Sequence, residues 1–138
     1  MKRQLKSKKK ATSTIHEEIR DILNKIKSGE ATQEEILSWT KHDSGDVRLK
    51  AVQQLCPCRV KDDIDEVWDS IMEMAQDEDH RVRYQVLHDV CDGSPDHLEH
   101  RVMAVVEMMN TDTDKDIRRR AHKVLASYLR TGKWNILQ

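Results

Sequence analysis

Three cysteines are the first residues of this chain whose chemistry suggests a site. Cys56-Pro57-Cys58 resembles half of a metal-binding or redox motif, and Cys91 stands apart from it. A closed zinc site needs four ligands, and no second cysteine pair is available to complete one. Cys56 and Cys91 are 35 residues apart, and Ala126 lies 35 residues further on, so a small apolar side chain suits this position. We therefore expect Cys56 and Cys91 to be buried core thiols without a metal.

The histidines and hydroxyl residues do not form a recognisable catalytic set. His97 and His100 are three residues apart, which places both on one face of a helix, where two imidazoles can share a metal. No carboxylate or cysteine completes that pair at a known spacing, and the His-Glu-x-x-His pattern is absent. Glycine-rich phosphate loops and Gly-x-Ser-x-Gly elbows are absent as well. The sequence therefore predicts no enzyme activity, no metal and no cofactor.

Basic residues form the densest cluster of chemically useful side chains, near the C-terminal end. Arg118 begins a row that continues through Arg119, Arg120 and Lys123 to Arg130. Arg119 and Lys123 are four residues apart, and like charges at that spacing destabilise a helix by a few tenths of a kcal/mol. The row is either a solvated surface that keeps the protein soluble or a binding surface for an acidic partner.

A repeat of 35 residues positions these side chains. Apolar residues recur at that spacing, and within each unit they fall at i, i+4 and i+8, on one face of a helix. The recurring sets are Val47, Val82 and Ile117; Ala51, Val86 and Ala121; and Leu55, Val90 and Leu125. Ser44, Asp79 and Asp114 precede them in the same register, and all three are good N-cap residues. We predict three helices, called B, near 45–56, 80–91 and 115–130.

A second helix, called A, precedes each B helix. Ile36, Ile71 and Val106 are in register, as are Trp39, Met74 and Met109. Thr32 and Glu35 form a capping-box pattern, Asp62 is a candidate cap, and Ser94 precedes Pro95 at a candidate helix start. We predict the A helices near 33–41, 63–76 and 95–110, which gives repeats near 32–58, 62–93 and 94–130.

These features resemble HEAT repeats over roughly residues 32–130. The resemblance lies in helix pairs of about this length, an Asp in the turn inside the pair, and a Val-Arg with a small residue three positions after the Arg. It implies an all-α, short, right-handed α-solenoid of about three helix pairs. It also implies an inter-repeat ladder in which Asp77 matches Arg83 and Asp112 matches Arg118. Arg48 belongs to the same series, but its repeat departs from the pattern because His42 takes the position of the Asp.

The two ends of the chain differ from the repeats. Residues 1–12 carry six basic residues and no acid, and we predict a disordered basic tail there. The repeat domain then covers 13–138. An N-terminal capping helix follows the tail, with Thr14 and Glu17 as its capping box and Gly29 as its stop. Residues 131–138 follow Gly132, and we expect Trp134, Ile136 and Leu137 to fold back there as an apolar lid.

Charge separates the two sets of helices. The A helices carry ten acids and two basic residues, and the B helices carry three acids and ten basic residues. Because B helices line the concave side of a HEAT stack, the resemblance implies a basic concave face. We therefore expect a non-catalytic adaptor or scaffold whose binding residues, Arg119, Arg120, Lys123 and Arg130, contact an acidic protein partner. The alternative is a nucleic-acid binder that uses the same groove and the Lys-rich tail.

The same composition predicts where the protein works. Three cysteines are too few, and odd in number, for a disulfide framework, which fits a reducing compartment. No apolar run is long enough to span a bilayer, so no membrane partner is expected. We predict a cytoplasmic protein, or a nuclear one if the source is eukaryotic and the basic tail acts as an import signal.

Overall fold

The computed structural model describes the backbone of residues 2–138 and the side chains of residues 14–138. Over that part of the chain the structure is all-helical and has no strand, which confirms the prediction of an all-α protein. Seven α-helices are assigned within residues 2–138: α1 (Lys2–Ser28), α2 (Gln33–Trp39), α3 (Gly45–Gln54), α4 (Asp65–Glu73), α5 (His80–Val90), α6 (Glu99–Met109) and α7 (Lys115–Thr131). Two short 3-10 helices adjoin them, Met74–Gln76 after α4 and Asp96–Leu98 before α6.

α1 spans Lys2–Ser28, so it begins further upstream than the Thr14–Glu17 capping box predicted. Lys, Gln, Leu and Ala all favour a helix, so local preference allows the longer element. The predicted disordered tail over residues 1–12 lies outside the residues whose side chains are described, and it stays a prediction. The end of α1 is as predicted, since Gly29 adopts a φ of 78°, a conformation that glycine reaches without strain.

The starts of the three B helices are confirmed. Ser44 accepts a hydrogen bond from the Val47 amide, and Asp79 and Asp114 accept bonds from amides at the starts of α5 and α7. The capping box of α2 is also present, with Thr32 and Glu35 bonding to each other's amides. These side chains satisfy amides that have no partner inside the helix, so each helix begins where the short polar residue stands.

Two of the predicted A-helix starts are wrong. α4 has Ile64 rather than Asp62 at its N-cap position, and no side chain caps it. Ser94 does not cap the helix after Pro95, because a 3-10 turn comes first. The Ser94 hydroxyl instead donates to the Val90 carbonyl at 2.7 Å, and it accepts from the Trp134 indole at 2.7 Å. A tertiary hydrogen bond has replaced the local cap at this turn.

The recurring apolar positions form the core. Val47, Val82 and Ile117 are each 0% exposed, as the 35-residue register predicted. The largest cluster of buried side chains joins α3 through α7 and includes Ile71, Val106 and Met109. A smaller cluster packs α1 against α3 through Ile22, Ile26 and Val47. Successive B helices are in contact, α3 with α5 and α5 with α7.

The C-terminal segment packs back as predicted. α7 ends at Gly132 in the left-handed conformation, with a φ of 76°. Trp134 and Leu137 beyond it are buried, and Ile136 packs partly against the same core. The Leu137 amide donates to the Cys91 carbonyl at 3.0 Å, and the Asn135 amide group bonds to the backbone of Ser94. The segment therefore covers the turn that links α5 to α6.

Candidate functional site

Three of the four predicted binding residues lie on one exposed side of α7. At roughly 100° per helical residue, Arg119, Lys123 and Arg130 fall within about 40° of one another around the axis. All three are exposed, and they lie opposite the face that buries Ile117 and Val124. None of them is within ion-pair distance of an acid in the part of the chain described with side chains, residues 14–138. Their charges are therefore available to a ligand.

Arg120 lies at the border of this surface and is held there by an aromatic ring. Its guanidinium carbon is 4.7 Å from the centroid of the Tyr84 ring on α5. A cation over an aromatic face is attracted by the ring's quadrupole, so the contact fixes the side chain between α5 and α7. We call Arg119, Arg120, Lys123 and Arg130 the α7 basic face. The Arg120–Tyr84 contact shows that this surface extends toward α5.

The ladder residues are together, but the predicted pairing is wrong by one repeat. Arg48 donates to the Asp77 carboxylate at 2.9 and 3.1 Å, and Arg83 donates to the Asp112 carboxylate at 3.0 and 3.1 Å. Arg83 contacts Asp77 only through its backbone carbonyl, at 2.8 Å. Each arginine thus uses one nitrogen for its own turn and two for the carboxylate of the next turn, and each pair ties neighbouring B helices together.

Electrostatics support this assignment. Burial acts to raise the pKa of Asp112, but hydrogen bonds from Arg83 and from the Asp114 amide outweigh it, so the pKa is lowered. The Asp77 hydrogen bonds raise the pKa of Arg48, and the Asp112 hydrogen bonds raise that of Arg83. The side chains of both ion pairs are nearly buried, so removing either partner would leave a nearly buried charge without its counter-charge.

Arg118 is the last arginine of the series and has no carboxylate. It donates to the backbone carbonyls of Asp112 and Thr113 at 2.7 and 3.1 Å, as Arg48 and Arg83 do at their own turns. No acid pairs with it within residues 14–138, and it is exposed. The predicted pairing of Arg118 with the Asp112 side chain is therefore wrong, because that carboxylate belongs to Arg83.

His42 makes in the turn before α3 the local hydrogen bond that Asp77 makes in the turn before α5. The Asp77 carboxylate accepts from the Asp79 amide two residues on, at 2.8 Å, and His42 Nδ1 accepts from the Ser44 amide in the same way at 3.0 Å. The carboxylates of Asp77 and Asp112 also accept from an arginine of the preceding B helix. Among the described side chains no arginine pairs with the His42 imidazole, so it takes over only the local hydrogen bond of the turn carboxylate, and Arg48 keeps both of its own bonds to the turn carbonyls.

Cys56 and Cys91 are buried as predicted, and burial raises the pKa of Cys91 to about 12. The third residue of that register, Ala126, is exposed, so the shared core position extends over two repeats only. The reason is that α7 continues as a helix to Thr131, whereas α3 and α5 end before the cysteines. A residue in a turn and one in a helix at the same register point in different directions.

The structure brings Cys56 and Cys58 next to polar residues in α5 and just after it that the sequence reasoning did not connect with them. Cys56 Sγ lies 2.8 Å from Cys58 Sγ and 3.2 Å from Asp92 Oδ2, which in turn is 3.1 Å from His88 Nε2. Asp89 is fully buried beside them. The search for a second cysteine pair missed this set, although His88 and Asp92 stand four residues apart, the spacing of one helix face.

The other candidate residues stay apart. His97 lies 2.6 Å from Asp63, and His100 is exposed; neither belongs to a group of three metal-binding side chains within residues 14–138.

Comparison with known proteins identifies no family for this chain: no family model, no curated protein and no solved structure matches it. None of the described helices is long and apolar enough to cross a membrane.

Proposed function

We propose that this protein is a short right-handed α-solenoid of about three HEAT-like helix pairs that acts as a non-catalytic adaptor in the cytoplasm. Its α7 basic face would bind an acidic segment of a partner protein. The observation that carries this proposal is a cluster of cations on α7, with Arg119, Lys123 and Arg130 exposed on one side, none of which is within ion-pair distance of an acid among the described side chains. A stable monomer gains nothing from such repulsion, whereas an acidic ligand would relieve it.

The contrast with the other arginines strengthens the proposal. Arg48, Arg81, Arg83 and Arg101 each pair with a carboxylate at 2.9–3.0 Å. The α7 basic face differs from them because it gathers four cations without such a partner among the described side chains on one helix. Exposed Leu129, 76% accessible, precedes Arg130 and adds an apolar contact beside the charges. Protein interfaces combine such apolar and arginine contacts.

Nucleic acid is the alternative ligand, since the same cations would bind phosphates. The two ligands differ in their response to salt: each phosphate contact releases a counterion, so affinity for nucleic acid would fall steeply as salt rises. A protein interface with an apolar centre would respond less. Apart from the N-terminal residues, the chain carries a net charge of −7, which disfavours a polyanion as large as a nucleic acid.

The test is a charge reversal on the α7 basic face. We expect Arg119→Glu with Lys123→Glu to leave the melting temperature nearly unchanged, because exposed substitutions shift stability by under about 0.5 kcal/mol. Partners would first be captured with the intact chain, with and without nuclease, and the affinity of the captured protein would then be measured. We expect at least a tenfold loss, or about 1.4 kcal/mol.

Lys41→Glu with Lys61→Glu is the matched control, since both side chains are exposed, carry no ion pair within residues 14–138, and give the same change in net charge. Equal loss of binding in the test and control variants would show a general charge effect. Binding that survives the Arg119/Lys123 reversal would move the site elsewhere. Capture that disappears with nuclease would favour the nucleic-acid alternative.

A further inference from the structure

The cysteines that the adaptor function leaves unused form a compact polar cluster with α5. Cys56 and Cys58 lie just beyond the end of α3, His88 lies in the last turn of α5, and Asp92 follows that helix. The ligand atoms of Cys56, Cys58 and Asp92 lie within 4.8 Å of one another, and so do those of Cys56, His88 and Asp89. Cys56 belongs to both groups, and His88 Nε2 lies 3.1 Å from Asp92 Oδ2, so the two groups adjoin each other.

Asp89 is the observation that points to an occupant. It is 0% exposed, and its Oδ1 atom accepts a 2.8 Å hydrogen bond from Gln85. Its Oδ2 atom is buried and has no hydrogen-bond partner. A buried oxygen that lacks a partner destabilises the fold, and it does so more strongly when it is charged. A cation beside Cys56 would give this oxygen the partner it lacks.

The local charge favours the same conclusion. Two thiols and two carboxylates meet where α3 and α5 end, and the carbonyl end of a helix carries partial negative charge. No Lys or Arg forms an ion pair with Asp89 or Asp92 among the described side chains, and His88 is the one basic group beside them. The first two repeats alone provide this arrangement, because Lys123 and Val124 take the positions of His88 and Asp89 in α7. The arrangement is therefore not a general feature of the repeat.

We propose that Cys56, Cys58, His88 and Asp92 bind one Zn²⁺ ion, whose positive charge compensates the buried Asp89 carboxylate next to Cys56 and His88. Two sulfurs, one imidazole nitrogen and one carboxylate oxygen are ligands that zinc prefers, and four of them complete a tetrahedral structural site. Zinc–sulfur bonds of about 2.3 Å require the two sulfurs to be about 3.7 Å apart. Exposed Cys58 can open the present 2.8 Å separation by rotating its side chain. The ion would then link the end of α3 to the end of α5.

The experiment uses Zn²⁺ itself as the probe on the full chain, purified in reducing buffer and stripped with a chelator. We expect one zinc per chain by elemental analysis, and an increase in melting temperature when zinc is restored. Cobalt substitution gives a separate signature, since thiolate-bound tetrahedral Co²⁺ shows a charge-transfer band and strong visible absorption. Cys58 should react with a thiol reagent in the stripped protein and be protected when zinc is present.

Ligand variants make the assignment specific. Cys58→Ser and His88→Gln are expected to fold, because neither side chain is in the apolar core, and each should weaken zinc binding by about 100-fold or more. Cys91→Ala is the matched control, since it removes a buried thiol outside the cluster and should bind zinc as the parent does. Less than a tenth of an equivalent of zinc on the parent would overturn the proposal. So would unchanged affinity in both ligand variants, or recovery of a Cys56–Cys58 disulfide that accounts for both thiols.

Discussion

At the scale of single residues, the position of an arginine in its helix does not reveal whether it pairs with a carboxylate. Arg83 and Arg118 stand at the same place in α5 and α7, and both donate to the carbonyls of the turn before their helix. Only Arg83 also contacts a carboxylate, at 3.0 and 3.1 Å. Comparing Arg83 with Arg118 therefore separates the stabilisation from the local hydrogen bonds to the turn from the stabilisation by the ion pair with Asp112.

We expect Arg83→Ala to lower the free energy of unfolding by about 3 kcal/mol, because it leaves the nearly buried Asp112 without its ion-pair partner. Arg118→Ala removes the same local hydrogen bonds from an exposed side chain and should lower it by less than about 1 kcal/mol. Urea denaturation of both variants measures the difference. The double variant Arg83→Ala with Asp112→Ala should lose less free energy of unfolding than the sum of the losses in its two single variants. Equal losses in Arg83→Ala and Arg118→Ala would rule out a structural role for the Asp112 carboxylate.

At the scale of the helices, the start of α5 concentrates several stabilising contacts on one side chain. Asp79 caps the helix by accepting from the Arg81 amide at 2.9 Å, and its carboxylate also pairs with the Arg81 guanidinium. Arg81 extends the contact to Asp46 on α3 at 2.9 Å. The cap thus joins the beginnings of two neighbouring B helices.

The pH dependence of this cap follows from its pKa. The Arg81 side-chain hydrogen bond lowers the pKa of Asp79 to about 2, against a usual value near 3.8. The folded protein therefore prefers ionised Asp79. That stabilisation is complete above about pH 4 and is lost as pH falls from there toward 2.

Asp79→Ala should lower the free energy of unfolding at neutral pH by about 1 kcal/mol through loss of the cap. Asp79→Asn is the matched variant, because asparagine caps helices well but carries no charge. It should retain most of the stability at pH 7 and reduce the acid-induced loss between pH 4 and 2. Thermal melts across this range test the prediction, and an acid profile for Asp79→Asn identical to that of the parent would contradict it.

At the scale of the whole molecule, the last residues of the chain close the core. Trp134 packs edge-on against Tyr128, with 6.2 Å between the ring centroids, and donates to Ser94. Asn135 bonds to the amides of Gly93 and Ser94. Segments 40 to 42 residues apart in sequence are joined here, so cooperative unfolding should depend on this contact.

We expect Trp134→Ala to destabilise the protein by about 3–5 kcal/mol, since it removes a large buried side chain and its hydrogen bond. Removing residues 133–138 should have at least as large an effect. Leu129→Ala is the control, because that side chain is exposed and should change stability by under about 0.5 kcal/mol. Denaturant midpoints report all three. A shortened chain that unfolds at the same midpoint as the parent would show that the segment is not part of the cooperative core.

The sequence by itself determined the helices and their buried faces. The 35-residue register predicted that Val47, Val82 and Ile117 would be buried, and Ser44, Asp79 and Asp114 marked the starts of α3, α5 and α7. These features follow from local physics: helical periodicity fixes which side chains share a face, and a cap acts on amides two or three residues away. Neither requires knowledge of where the neighbouring helices lie.

Only the tertiary structure decided which residues meet across helices. Asp77 pairs with Arg48 rather than Arg83, and Cys56 and Cys58 lie beside His88 and Asp92. Ser94 bonds to Trp134 instead of capping a helix. Such contacts join residues about 30 to 40 positions apart, and they depend on how one helix pair rotates and shifts against the next. Because packing of the buried faces sets that arrangement, spacing along the chain does not specify these contacts.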